Sequence, residues 1–105
     1  MNQQEFNQIL ESRIQKMRDT LSSKASEYAR GDRLSNFKVG AIPLKISPEK
    51  YLISLWMKHV ISICDFVNDL ENGSIAKPEL WNEKIGDATN YLVLLDALIM
   101  ERHGQ

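Results

Sequence analysis

Apolar residues return every three or four positions along almost the whole of this chain, and no stretch shows the alternation of a strand. Side chains share one face of a helix at spacings of three and four and one face of a strand at spacings of two, so this rhythm admits helices and excludes a sheet. In the first stretch Phe6, Leu10, Ile14, Met17, Leu21, Ala25 and Tyr28 draw a single stripe. Asn2 followed by Glu5 has the form of an N-cap with its N3 partner, and Gly31 suits a helix stop, which predicts a first helix over about 3–29. In the second, Ser47-Pro48-Glu49 combines an N-cap, a proline at the first helical position and an early acid, and Asn72-Gly73 closes a helix over about 48–71. Leu52, Ile53, Leu55, Trp56, Met57, Val60, Ile61, Ile63, Phe66 and Val67 leave it only one polar row, Ser54, Lys58, Ser62, Asp65 and Asp69. Such a helix is expected to be the central, most buried element. The third stretch carries Trp81, Ile85, Ala88, Leu92, Leu95 and Ile99, widened by Tyr91, Leu94 and Leu98, and predicts a helix over about 79–102.

Between the first two helices lies Gly31-Asp-Arg-Leu-Ser-Asn-Phe-Lys-Val-Gly-Ala-Ile-Pro-Leu-Lys-Ile-Ser47, with two glycines and Pro43. Pro43 disfavours a helical Ile42, so the segment reads as a long loop with a short turn at Leu34 to Phe37. Loops of this length in compact domains are more often functional than idle. The whole is expected to be all-α: one domain, residues 1–105, built as a three-main-helix antiparallel bundle with a long loop between helices 1 and 2. The second and third helices carry more apolar surface than three helices cover, so the bundle is expected to be completed by oligomerisation, as a homo-oligomer of two or four copies.

Composition sets the class. With 43% hydrophobic and 26% charged residues the chain has enough apolar surface to fold. Its formal net charge of -1 and pI near 6.1 provide no global field for duplex nucleic acid or an anionic membrane. No apolar run suits a membrane span and no apolar leader follows Met1, so neither membrane nor export is expected. Cys64 is the single cysteine, set among Val60, Ile61, Ile63, Phe66 and Val67. It is expected to be a core thiol in a reducing, cytoplasmic setting.

Chemistry concentrates in three places. Glu83, Asp87 and Asn90 stand at i, i+4 and i+7, one helical face over two turns. Two carboxylates so placed can share a hard cation and an amide beyond them can grip a ligand, or all three can form a solvated face. Gly86 between them costs a helix about 1 kcal/mol against alanine and calls for a packing or access reason. His59 falls on the apolar side of the second helix, in register with Leu52, Leu55, Trp56, Ile63 and Phe66. It is either a satisfied core histidine or a phosphate donor or general acid facing Glu83 and Asp87 across the bundle. Asp32, Arg33, Asn36, Phe37 and Lys38 bring charge, amide and ring to one loop. Phe37 or Trp81 can stack on a base and Arg33 or Lys38 can meet phosphate, unless the segment is an ordinary surface loop. Trp56 and Tyr91 read as core or subunit-interface residues.

The run Glu83-Lys-Ile-Gly-Asp-Ala-Thr-Asn-Tyr-Leu92, with Lys24-x-x-Glu27-Tyr28-Ala29, Asp32, Leu34-Ser-Asn-Phe37 and Lys58-His59 upstream, resembles the MazG-like all-α nucleoside triphosphate pyrophosphohydrolases, in their phage-borne, nucleotide-modification-associated branch. The resemblance spans about residues 24–101. It implies a phosphorylated nucleotide or nucleotide-derived ligand, Mg²⁺ held by Glu83 and Asp87 with Glu27 as an addition, and substrate contacts from Asp32, Arg33, Asn36, Phe37, Lys58, His59 and Asn90. Two departures stand out. Lys84 occupies the position three before Asp87 where the family has Glu, and the acidic pair on the preceding helix is replaced by Lys58, His59 and Ser62. These suit direct phosphate contact better than a metal cluster. The alternative they favour is a non-catalytic phage or prophage protein that sequesters a nucleotide signal of host defence.

Overall fold

The computed structural model describes residues 1–23 and 31–104. Among them are four helices and no strand: α1 (Gln3–Ser23), α2 (Ser35–Ala41), α3 (Pro48–Glu71) and α4 (Pro78–Arg102). No helix among them is long and apolar enough to cross a membrane. The chain divides into two compact units, Met1–Arg33 and Leu34–Gln105.

The first unit contains α1. Its start is the expected one: the Glu5 amide donates to Asn2 Oδ1 at 2.8 Å, satisfying an amide that has no partner inside the helix. The expected end near residue 29 lies outside the described residues, as do Ala25 and Tyr28 of its stripe and Glu27. Gly31 has φ 101°, the left-handed region that glycine enters without steric cost.

The second unit is an α3–α4 hairpin braced by α2. Ser47 accepts the Lys50 amide at 3.1 Å and Pro48 opens α3. At the other end the Ser74 amide donates to the Asp69 carbonyl at 2.8 Å and the Gly73 amide to Leu70 at 3.1 Å, while Gly73 sits at φ 88°. That pair of bonds is the Schellman closure, which turns the chain back within a few residues. Side-chain pairing shows α4 returning antiparallel to α3. Phe66 meets Trp81 edge-on near the connection, ring centroids 5.2 Å apart. His59 meets Tyr91 midway, and Arg102 grips Glu49 at the open end through bonds of 2.5 and 2.8 Å. Lys38 of α2 pairs with Glu101 of α4 at that same end.

The expected long loop is in part a helix. Leu34, Phe37 and Ala41, spaced by three and four, are all buried; Leu34, at the N-cap of α2, and Phe37 within it form a cluster with Leu52 and Leu98, against which Tyr51, Leu55, Tyr91, Leu94 and Leu95 pack. Gly40 obscured the pattern and also explains it: the Tyr51 ring lies where a Cβ on residue 40 would sit, 2.3 Å from Cε1 and 2.4 Å from Cζ. Only a residue without a side chain lets the ring close over α2.

Two expectations about burial are corrected. Of α3 only Leu52 is fully buried, while Met57, Ile61, Val67 and Leu70 are exposed. Cys64 is exposed as well. For Met57, Ile61 and Cys64 the reason is geometric: α4 covers one side of α3 and α2 reaches only its first turns, so the apolar residues on the remaining arc keep their solvent.

Candidate functional site

The seam between α3 and α4 gathers the polar groups. His59 lies on the same stripe of α3 as Leu52, Trp56, Ile63 and Phe66, at spacings of four and three, so the packing that buries the stripe turns the imidazole toward α4. Its Nδ1 is 3.7 Å from Asp87 Oδ2, with the two side chains 25% and 42% exposed. This pair carries opposite charges only when the imidazole is protonated. The His59 ring lies against Tyr91, centroids 5.1 Å apart and planes 33° apart, and Tyr91 in turn meets the edge of Phe37 at 6.3 Å. A continuous row of rings therefore runs from the core to the histidine. The core fixes where His59 and Asp87 stand.

Along α4 the face formed by Glu83, Asp87 and Asn90 dips inward. Glu83 is exposed, Asp87 half-buried, and Asn90 half-buried with its Oδ1 out of water and without a hydrogen-bond partner. Trp56, one turn before His59, has its indole Nε1 in the same condition. A buried polar atom left unpaired costs about 1–3 kcal/mol, and native proteins keep few of them. Here one is a donor and the other an acceptor, on the two helices that flank the His59–Asp87 pair. Sequence reasoning read Trp56 as a core or subunit-interface residue and missed its unpartnered N–H; its only signal was its place three residues before His59, on the same face.

Apart from Lys58, which adjoins His59, the remaining expected site residues fall elsewhere. Phe37 is a core ring, 7% exposed, so the base-stacking role gives way to packing. Trp81 packs against Phe66. Asn36 is exposed on α2 and Lys58 exposed on α3. Asp32 and Arg33 are half-buried and belong to the first unit. Glu27 lies outside the described residues. Thr89, between Asp87 and Asn90, turns its hydroxyl back onto the Ile85 and Gly86 carbonyls, each at 3.0 Å. Its oxygen serves its own helix and not the seam.

Glu83 and Asp87 bring two carboxylates to one helical face, the second already beside an imidazole. Among the described residues no group of three or more His, Cys, Asp or Glu side chains is placed to hold a metal ion. Mg²⁺ takes six oxygens, commonly one or two carboxylates with waters and substrate phosphates, so among the described residues Glu83 and Asp87 fit the ion as a partner of a phosphorylated ligand. Comparison of the chain with family models, with curated proteins and with solved structures finds no match.

Proposed function

We propose that this chain binds a phosphorylated nucleotide at the α3–α4 seam, in the manner the MazG-like resemblance implies. The observation that carries the reading is the meeting of His59 and Asp87 from opposite helices, 3.7 Å apart, beside an Asn90 oxygen and a Trp56 N–H that have no partner. In this reading protonated His59 and the exposed Lys58 contact phosphate oxygens, where charge-assisted hydrogen bonds are roughly twice as strong as neutral ones. The Asn90 oxygen and the Trp56 N–H take a complementary donor and acceptor from the base. Filling them gives the ligand a return beyond its buried area, because two polar atoms leave their unpaired state on binding. Asp87, and Glu83 farther out, can carry Mg²⁺ in with the phosphates.

Capture without turnover is the second reading, and two features favour it. Asp87 is placed against an imidazole, with no group of three or more His, Cys, Asp or Glu placed to hold a metal ion among the described residues, and Lys84 stands where the resembled family has an acid. Fewer carboxylates and more positive charge suit direct phosphate contact better than a metal cluster that activates water.

A thermal-shift panel of nucleoside mono-, di- and triphosphates, run with and without Mg²⁺, tests both. A nucleotide at a hundred times its dissociation constant adds about 2.7 kcal/mol to stability, a shift of many degrees for a domain this size. Stabilisation with pyrophosphate release, both lost in Asp87→Ala, supports the enzyme. Stabilisation without release supports capture. No shift with any nucleotide refutes nucleotide binding.

A further inference from the structure

Helix α1 presents an apolar stripe that its own unit leaves uncovered. Phe6, Ile9 and Leu10 are 52%, 53% and 45% exposed, and no residue of the helix is buried. Ile14, Met17 and Leu21 continue the stripe at spacings of three and four. At 21 residues the helix is about 31 Å long. Helices of this class draw most of their stability from packing an amphipathic face, since propensity alone leaves them marginal in water.

The charges beside the stripe specify what can cover it. From Gln3 to Ser12 the only charged residues are Glu5 and Glu11, whereas Arg13 to Ser23 holds Arg13, Lys16 and Arg18 against Asp19. The two halves thus have opposite sign. Eleven residues separate Glu5 from Lys16, close to three whole turns, and seven separate Glu11 from Arg18, close to two. Each flank of the stripe therefore carries an acid toward the N-terminus and a base toward the C-terminus. A second α1 laid antiparallel sets acid against base on both flanks. Laid parallel, it sets like against like. The pattern is self-complementary under a two-fold axis, the symmetry of most homodimers.

We infer that α1 is a self-association surface, on which a second copy of this chain seats its own α1 antiparallel. The apolar stripe supplies the attraction, and the flanking charges select orientation and partner more than they add affinity. Arg13, which falls within the stripe, can lay its aliphatic stem along the seam while its guanidinium reaches the edge. One helix pair is a small interface, so the association is reversible and concentration-dependent.

Sedimentation equilibrium of the full chain tests this. The mass is expected to rise from one chain, 12.1 kDa, toward twice that as concentration increases, and Leu10→Asp is expected to hold it at one chain. Orientation is read from two double variants. Glu5→Lys with Glu11→Lys makes the charged flanks wholly basic, and Lys16→Glu with Arg18→Glu makes them acidic. Each alone is expected to stay monomeric, and an equal mixture to form a one-to-one heterodimer that added salt weakens. Far-UV circular dichroism establishes that each variant keeps its helices. A wild-type mass of one chain at every concentration overturns the proposal. So does self-association of either folded double variant as strong as that of the wild type.

Discussion

Replacing Gly40 with alanine sets two effects of known sign against each other. In the interior of an exposed helix the change stabilises by about 1 kcal/mol, because alanine loses less backbone freedom on folding. Here the new Cβ lies 2.3, 2.4 and 2.8 Å from Cε1, Cζ and Oη of Tyr51. Carbon atoms in good contact sit about 3.5–4.0 Å apart, so the ring must retreat by more than about 1 Å. Tyr51 packs against the Leu34, Phe37, Leu52 and Leu98 cluster, so a retreat of the ring gives up part of that contact. Overpacking of this kind costs about 1–3 kcal/mol. With three ring atoms inside 3.0 Å the upper end applies, leaving a net loss of about 1–2 kcal/mol. For a unit of roughly 70 residues each kcal/mol moves Tm by about 4–8 °C. Both tryptophans, Trp56 and Trp81, belong to the second unit, so their fluorescence follows its unfolding alone. Gly40→Ala is expected to lower that Tm by about 5–15 °C. In a Tyr51→Ala background the same change is expected to raise it, which isolates the ring contact as a coupling of about 2–3 kcal/mol. A higher Tm for Gly40→Ala in the otherwise native chain would refute the reasoning.

Leu52→Ala, at the fully buried side chain beneath α2 and α4, is expected to cost about 2–5 kcal/mol in urea unfolding. A loss below 1 kcal/mol would mean that the site collapses freely. The Arg102 guanidinium, hydrogen-bonded to Glu49, holds that carboxyl below the usual glutamate range. A depressed folded-state value adds stability above the unfolded value, about 4.3, and loses it as pH falls through the lower one. The stability gap between wild type and Glu49→Gln is therefore expected to be constant near neutrality and to close on acidification below about pH 4; a gap that widens in acid contradicts the pairing. Asn90→Leu removes an unpartnered buried oxygen. It is expected to raise the ligand-free Tm while erasing discrimination among bases in the nucleotide panel, so a fall in Tm argues that Asn90 is satisfied in solution.

How much of this was legible in advance depended on the range of the forces involved. The caps at Asn2, at Ser47-Pro48 and at Asn72-Gly73 are local chemistry, each bond spanning no more than five residues, and the helix starts followed from the sequence. The meeting of His59 with Asp87 was one of two readings that register along two helices allowed, and the antiparallel return brings those faces together. The long segment before α3 misled because Gly40 and Pro43 are breakers by propensity, while Leu34, Phe37 and Ala41 gain more from burial than that propensity costs.

What the tertiary structure alone decided is which apolar residues lose their water. Periodicity shows that Cys64, Met57 and Ile61 lie on one arc of α3, and it says nothing of whether another element covers that arc. In this fold α4 takes the opposite arc and α2 the first turns, so these three stay exposed. By the same logic the ring of Phe37 is drawn from a loop into the core, and the Asn90 oxygen ends buried with nothing to bond. Hydrogen bonds of a cap close within a turn of chain, whereas burial is a property of whichever surfaces meet, and that is written only in three dimensions.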